Sequence, residues 1–94
     1  MQAVDIPNSV VAVGKGAFRN CTQLKSASLS ENIRFTEIMD ETFLDAESLT
    51  EIIIPPSVTK IRGYAFASTQ LTSVIIPNAT QNIGQYAFSE TDWY

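Results

Sequence analysis

The residue types that most often carry catalysis or bind metals are sparse in these 94 residues. Histidine is absent and cysteine occurs once, as Cys21. That removes the commonest general base and metal ligand, and it leaves no spacing for an internal disulfide, a zinc site or an iron–sulfur cluster. A nucleophilic Cys21 would need a neighbouring base, which the chain does not supply. Oxygen ligands are more plentiful. Glu37, Asp40, Glu41, Asp45, Glu47 and Glu51 gather six of the ten acidic residues into one stretch. Calcium needs defined ligand geometry, and neither an EF-hand nor a nonapeptide spacing is present, so the stretch reads as a solvated acidic edge that repels acidic partners and steers basic ones. No catalytic residue, metal or cofactor is therefore expected, and an enzyme is the least favoured class.

Composition narrows the partners further. An apolar fraction of 45 % with 17 % charged residues fits a small ordered domain. The net charge is −4 and the basic residues Lys15, Arg19, Lys25, Arg34, Lys60 and Arg62 are scattered, whereas nucleic-acid binding requires clustered cations. Apolar runs such as 52–56 are far short of a membrane span, and the first residues, MQAVDIP, do not have the form of a signal peptide.

What the chain does have is repetition. LTEIIIPPSVTKIRGYAF at 49–66 is rewritten as LTSVIIPNATQNIGQYAF at 71–88, as VDIPNSVVAVGKGAF at 4–18, and with two extra residues as LKSASLSENIRFTEIMDETF at 24–43. Phe18, Phe43, Phe66 and Phe88 form one column spaced 25, 23 and 22; Ile6, Leu29, Ile54 and Ile76 form another; Leu24, Leu49 and Leu71 form a third. A period in the twenties marks stacked units, none of which buries its apolar face alone. Within a unit, alternation over 52–54 predicts a short strand with Ile52 and Ile54 inward, ended by Pro55, as Pro7 and Pro77 end its copies. Val10 and Val13, Val58 and Ile61, and Thr80 and Ile83 then follow as inward positions. Gly14, Gly63 and Gly84 suit corners that need positive φ or close approach, and a single helical turn is expected near each Ala-Phe. Cys21 falls in a column with Ala46, Thr69 and Thr91, a tight corner, which favours a buried structural thiol.

The pattern resembles the BspA-like (Treponema pallidum-type) leucine-rich repeats over roughly residues 4–91. Leu49, Ile52, Ile54, Pro55, Val58, Ile61, Ala65 and Phe66 fit that motif in one unit; Leu71, Val74, Ile76, Pro77, Ile83, Gly84, Ala87 and Phe88 fit it in another, and Asn20-Cys21 matches its Asn-Cys. The resemblance implies a leucine-rich-repeat solenoid: a right-handed coil of about four units of 22–25 residues (1–23, 24–48, 49–70, 71–94) with a parallel β-sheet on the concave face, and short strands and single helical turns elsewhere. It also implies a cell-surface or secreted protein engaged in adhesion to host or matrix proteins. Ser30 replaces the expected proline, and the two extra residues near 34–36 predict a local bulge. No polar terminal cap is visible, so a fragment of a longer array, or a subunit whose ends are covered by other chains, is expected, with self-association through the open ends. Trp93 and Tyr94 read as a makeshift cover for the last unit or part of an interface. Asn20-Cys21-Thr22 and Asn78-Ala79-Thr80 are formal glycosylation sequons, the first of them part of the repeat.

On that frame the outward strand positions align as Asp5, Ser28, Ile53, Ile75, flanked by Ala3, Ser26, Glu51, Ser73 and by Gln2, Lys25, Thr50, Thr72. The candidate partner-binding residues are Asp5, Lys25, Ser28, Glu51, Ile53, Ser73 and Ile75. Ile53 beside Ile75 is an apolar pair on a face that should see water. Side-by-side packing of branched residues on a sheet explains it without a partner; exposed apolar surface for a protein partner is the other reading. Against a protein-interaction module stands a structural role as a spacer or assembly subunit.

Overall fold

The computed structural model describes residues 2–72 and 74–91; Ser73, Trp93 and Tyr94 lie outside them. Two three-stranded parallel sheets face each other across the core. The first holds β1 (Ala3–Asp5), β2 (Ser26–Ser28) and β4 (Glu51–Ile53), in that order. The second holds β3 (Glu37–Ile38), β5 (Lys60–Ile61) and β6 (Asn82–Ile83). In the first sheet Ala3, Ser26 and Glu51 share one register position and Asp5, Ser28 and Ile53 another; in the second, Glu37, Lys60 and Asn82 align, as do Ile38, Ile61 and Ile83. Ile52 and Ile54 are buried and Ile53 is exposed, the period-two division the alternation predicts.

Between the sheets the three sequence columns become three columns of core. Leu24, Leu49 and Leu71 are fully buried, and so are Phe43 and Phe66. The phenylalanine rings stack face over face along the molecule: Phe18 on Phe43 at 5.3 Å, Phe43 on Phe66 at 5.3 Å, Phe66 on Phe88 at 5.2 Å, with interplanar angles of 9°, 7° and 9°. This spacing is close to the ~4.8 Å that separates paired strands, so one ring per repeat keeps pace with the sheets.

The segments around these rings differ from the expected helical turns. Among the described residues there is no helix; each Phe sits in an eight-residue corner, 14–21, 39–46, 62–69 and 84–91, of consecutive turns. Alternate amides do different work there. In one set the N–H closes an i to i+3 turn, as Ala17 to Gly14, Arg19 to Gly16 and Cys21 to Phe18. The other set crosses to the next repeat: Gly16 to Asp40, Phe18 to Thr42, Asn20 to Leu44, then Glu41 to Gly63, Phe43 to Ala65, Asp45 to Ala67, then Tyr64 to Gln85, Phe66 to Ala87, Ser68 to Ser89, all at 2.7–3.2 Å. A helix would turn every amide inward along its own axis; the first three corners instead send alternate amides across the repeat boundary.

That arrangement demands left-handed backbone at two places per corner: Gly16, Glu41, Tyr64 and Tyr86 at the third position, Asn20, Asp45, Ser68 and Glu90 at the seventh, with φ of 57° to 67°. Each is the third residue of its turn, where a type II turn requires positive φ. Of the two roles expected for Gly14, Gly63 and Gly84, positive φ is found at none of them, since among glycines only Gly16 adopts it. Gly84 answers to close approach instead: a Cβ there would lie 2.5 Å from the Gly63 amide nitrogen.

The irregular second repeat is accommodated by polar substitution and a larger core residue. Ser30, in place of proline, is fully buried and its hydroxyl donates to the Val10 carbonyl at 2.6 Å. Asn8 and Asn32 tie the same two repeats together, Asn8 Oδ1 accepting from the Glu31 amide and Asn32 Nδ2 donating to the Asn8 carbonyl, both at 2.9 Å. The extra residues form a turn closed by the Phe35 amide on the Asn32 carbonyl, and Phe35 enters the core with 1 % exposure. The length change therefore sits at 31–34, ahead of the expected 34–36. Two inward assignments are also corrected: Ile83 is 46 % exposed on the last strand of its sheet, and Cys21 is half-buried against the core.

Two outcomes follow for stability. Phe66→Ala removes a ring sandwiched on both faces and should cost about 3–5 kcal/mol in urea unfolding; a change below ~1 kcal/mol would contradict the stack. Ser68→Val places a β-branched residue at positive φ and should lower stability by about 1–2 kcal/mol, whereas Ser68→Gly should stay within ~0.5 kcal/mol of the wild type because relief of strain offsets the added chain entropy. Equal effects of the two would argue against the left-handed corner.

Candidate interaction face

The strands of the first sheet hold their alternate side chains outward, and this outer face collects the residues the sequence singles out. Asp5, Ser28 and Ile53 stand in one row across β1, β2 and β4 by register, and all three are exposed. Glu51 begins β4 opposite Ser26. Lys25 precedes β2; its amide donates to the Gln2 carbonyl at 2.7 Å and its carbonyl accepts from the Thr50 amide at 3.0 Å, placing these three side by side. Ile75 is exposed at 88 % and Ile53 at 74 %. Residues 74–77 do not form a fourth strand of the sheet, and Ser73 falls outside the described residues. Asp5, Ser28, Glu51 and Ile53 thus share the outer side of the first sheet, with Ile75 beside them, whereas Lys25 lies just ahead of β2 and lines neither hollow.

That face has two contiguous hollows of different character. One, of about 410 Å³, runs over β1 and β2 and is lined by short or acidic side chains, among them Asp5, Ser26, Ser28 and Glu51. The other, of about 470 Å³, is lined by Ile53, Ile75, Pro56 and Pro77 with Thr50 and Glu51 at one end. Glu51 and Ile53 border both. The difference arises from one variable at a constant backbone position: Asp and Ser occupy the outward row on β1 and β2, Ile on β4 and again at position 75.

Away from this face, sequence reasoning missed two features. Tyr64 and Tyr86 lie with ring centroids 5.2 Å apart and an interplanar angle of 32°, both substantially exposed; the repeated Tyr-Ala-Phe triplet was the signal for them. Part of the acidic edge is neutralised across repeats, Glu37 by Arg62, whose Nε donates at 2.8 Å, and Glu41 by Arg19 at 3.1 Å. Exposed pairs of this kind stabilise weakly. Among the described residues no group of three or more His, Cys, Asp or Glu is placed to hold a metal, and no helix is long and apolar enough to cross a membrane.

Comparison with protein families is decisive on kinship. The family model for the BspA type leucine-rich repeat region matches residues 1–93, as six copies. The chain belongs to this family. Two solved structures share its architecture. A leucine-rich repeat protein from Bacteroides ovatus ATCC 8483 superposes with a TM-score of 0.87 at 28 % identity, covering 93 % of this chain and 22 % of that one. A leucine rich cell surface protein from Faecalibacterium prausnitzii A2-165 superposes with a TM-score of 0.60 at 24 % identity, covering 99 % of this chain and 39 % of that one. This BspA-type chain therefore spans well under half the length of either. No curated protein matches it.

The assignment of faces predicts a contrast between neighbours in the sequence. Ile53→Ser should change stability by no more than ~0.5 kcal/mol, as for exposed positions generally. Ile52→Ser, one residue away and buried, should cost about 2–5 kcal/mol by denaturant titration. Comparable losses from both would show that the outer face is not free.

Proposed function

We propose that this chain is a non-enzymatic protein-binding module that presents the outer, concave face of the first sheet to a protein partner, as part of a cell-surface or secreted protein that adheres to host or matrix proteins. On this reading the molecule is a right-handed coil of four units, 1–23, 24–48, 49–70 and 71–94, and Asp5, Lys25, Ser28, Glu51, Ile53, Ser73 and Ile75 contact the partner. The observation that carries it is the exposure of Ile53 and Ile75 over a hollow of about 470 Å³. Two isoleucines held in water on an otherwise polar face contribute nothing to the core, while burying them against a partner removes apolar surface from solvent. Repeat architectures use such extended faces for binding. The cell-surface description of the F. prausnitzii protein is in keeping with the location.

A panel of immobilised extracellular-matrix proteins, read by surface plasmon resonance against the purified chain, tests the reading. Ile53→Ser with Ile75→Ser should weaken the bound signal at least tenfold while leaving the melting temperature in place. Binding that survives the double substitution, or no binding across the panel, would overturn it. Self-association is a second reading, favoured by Ile83 at 46 % exposure near Tyr86 in the last repeat; sedimentation over a range of concentrations separates the two.

A further inference from the structure

We propose that the hollow over Ile53 and Ile75 takes an extended peptide segment of the partner in which a branched aliphatic residue lies two positions from a Lys or Arg. The aliphatic side chain seats among Ile53, Ile75, Pro56 and Pro77, and the cation meets Glu51. This rests on the reading of the face as an interaction surface and names what that surface selects.

Size and lining suit a side-chain anchor. A volume of about 470 Å³ lies inside the ~300–1,000 Å³ common for ligand sites. Its walls are mostly aliphatic and proline, and Pro56 and Pro77 offer no N–H to a ligand backbone, so the far end favours an apolar side chain. Polarity is confined to the end where Thr50 and Glu51 stand.

Charge then decides the sign of the ligand. Glu51 and Asp5 are exposed on this face, and among the described residues neither has an ion-pair partner, whereas Glu37 and Glu41 are matched by Arg62 and Arg19. A carboxylate beside an apolar hollow gains attraction for a cation as a ligand displaces water from it. No Lys or Arg lines either hollow, so a second copy seated there through the same hollows would set Asp5 and Glu51 against Asp5 and Glu51, which disfavours it as the occupant.

Geometry sets the spacing. Glu51 and Ile53 project from the same side of β4 two residues apart, roughly 6.6–6.8 Å at the rise of a strand. An extended ligand repeats at the same interval, so a residue opposite Ile53 and another opposite Glu51 are two positions apart.

The test uses two synthetic octapeptides with a common Ser/Val scaffold, one bearing Lys and the other Glu two positions from the central Val, titrated into the isotopically labelled full chain. The Lys peptide should shift the amide signals of 51–54 and 74–76 and bind at least tenfold more tightly than the Glu peptide at low salt, with the margin narrowing as salt rises. Glu51→Gln should bring the two peptides within about twofold, and Ile53→Ser with Ile75→Ser should abolish both titrations, circular dichroism confirming that the variants keep the fold. Equal or inverted preference, insensitivity to Glu51→Gln, no binding of either peptide, or shifts centred on the second sheet would each overturn the assignment. Where a matrix protein engages the face but neither peptide does, the interaction face stands and only its peptide ligand falls.

Discussion

The fold depends on how the eight-residue corners dispose of their backbone amides. In the first three corners the N–H groups alternate between closing a turn within their own repeat and donating to the repeat that follows. No buried backbone group can be left unpaired without cost, so the pattern locks each repeat to its neighbour at a fixed height. The phenylalanines inside the corners then have one permitted arrangement, ring over ring at 5.2–5.3 Å. Glu41, Tyr64, Ser68 and the other non-glycine residues at positive φ carry strain of order 1–3 kcal/mol each, and in the first three corners the crossing amides hold them there.

Much of this was written in the sequence, though unevenly. Phe18, Phe43, Phe66 and Phe88 declared the repeat because a ring too large for any other site must recur at the same depth. Ile52 and Ile54 declared the strand because period two is a property of the pleat. The corners were harder to read. Tyr64 and Tyr86 have no local preference for left-handed backbone, so the glycines did not reveal where positive φ would fall. Phe35 was missed as core because its neighbours offer no periodicity; it is inward only because the loop before it lengthened. Ile83 looked inward by analogy with Ile61, yet it occupies the last strand of its sheet, where nothing in the described structure covers it.

The candidate face was legible to a similar degree. Asp5, Ser28 and Ile53 were placed in one row by counting, and the sheet register bears that out. Counting could not show that the row divides into a polar half and an apolar half, because the apolar lining also draws on Pro56 and Pro77 beside the isoleucines. Nor could it show which acids are spent on internal pairing. Inward positions of each repeat are bound by packing and vary little in character. Outward positions on the same three-residue strands are free of that demand, which is how a uniform scaffold carries a non-uniform surface.

The corners also separate where the chain can change length from where it cannot. Each runs for the same number of residues, 14–21, 39–46, 62–69 and 84–91, while the stretches between them differ and absorb the insertion at 31–34. Within a corner, amides alternate between two destinations, so parity matters as it does in a strand. Adding one residue there would send every later amide to the opposite destination, turning donors meant for the next repeat back on their own carbonyls and swinging the phenylalanine out of its column. The corner therefore behaves like a reading frame: lengthening in the intervening loops leaves it in phase, and a single-residue slip inside it scrambles everything downstream to the end of that repeat.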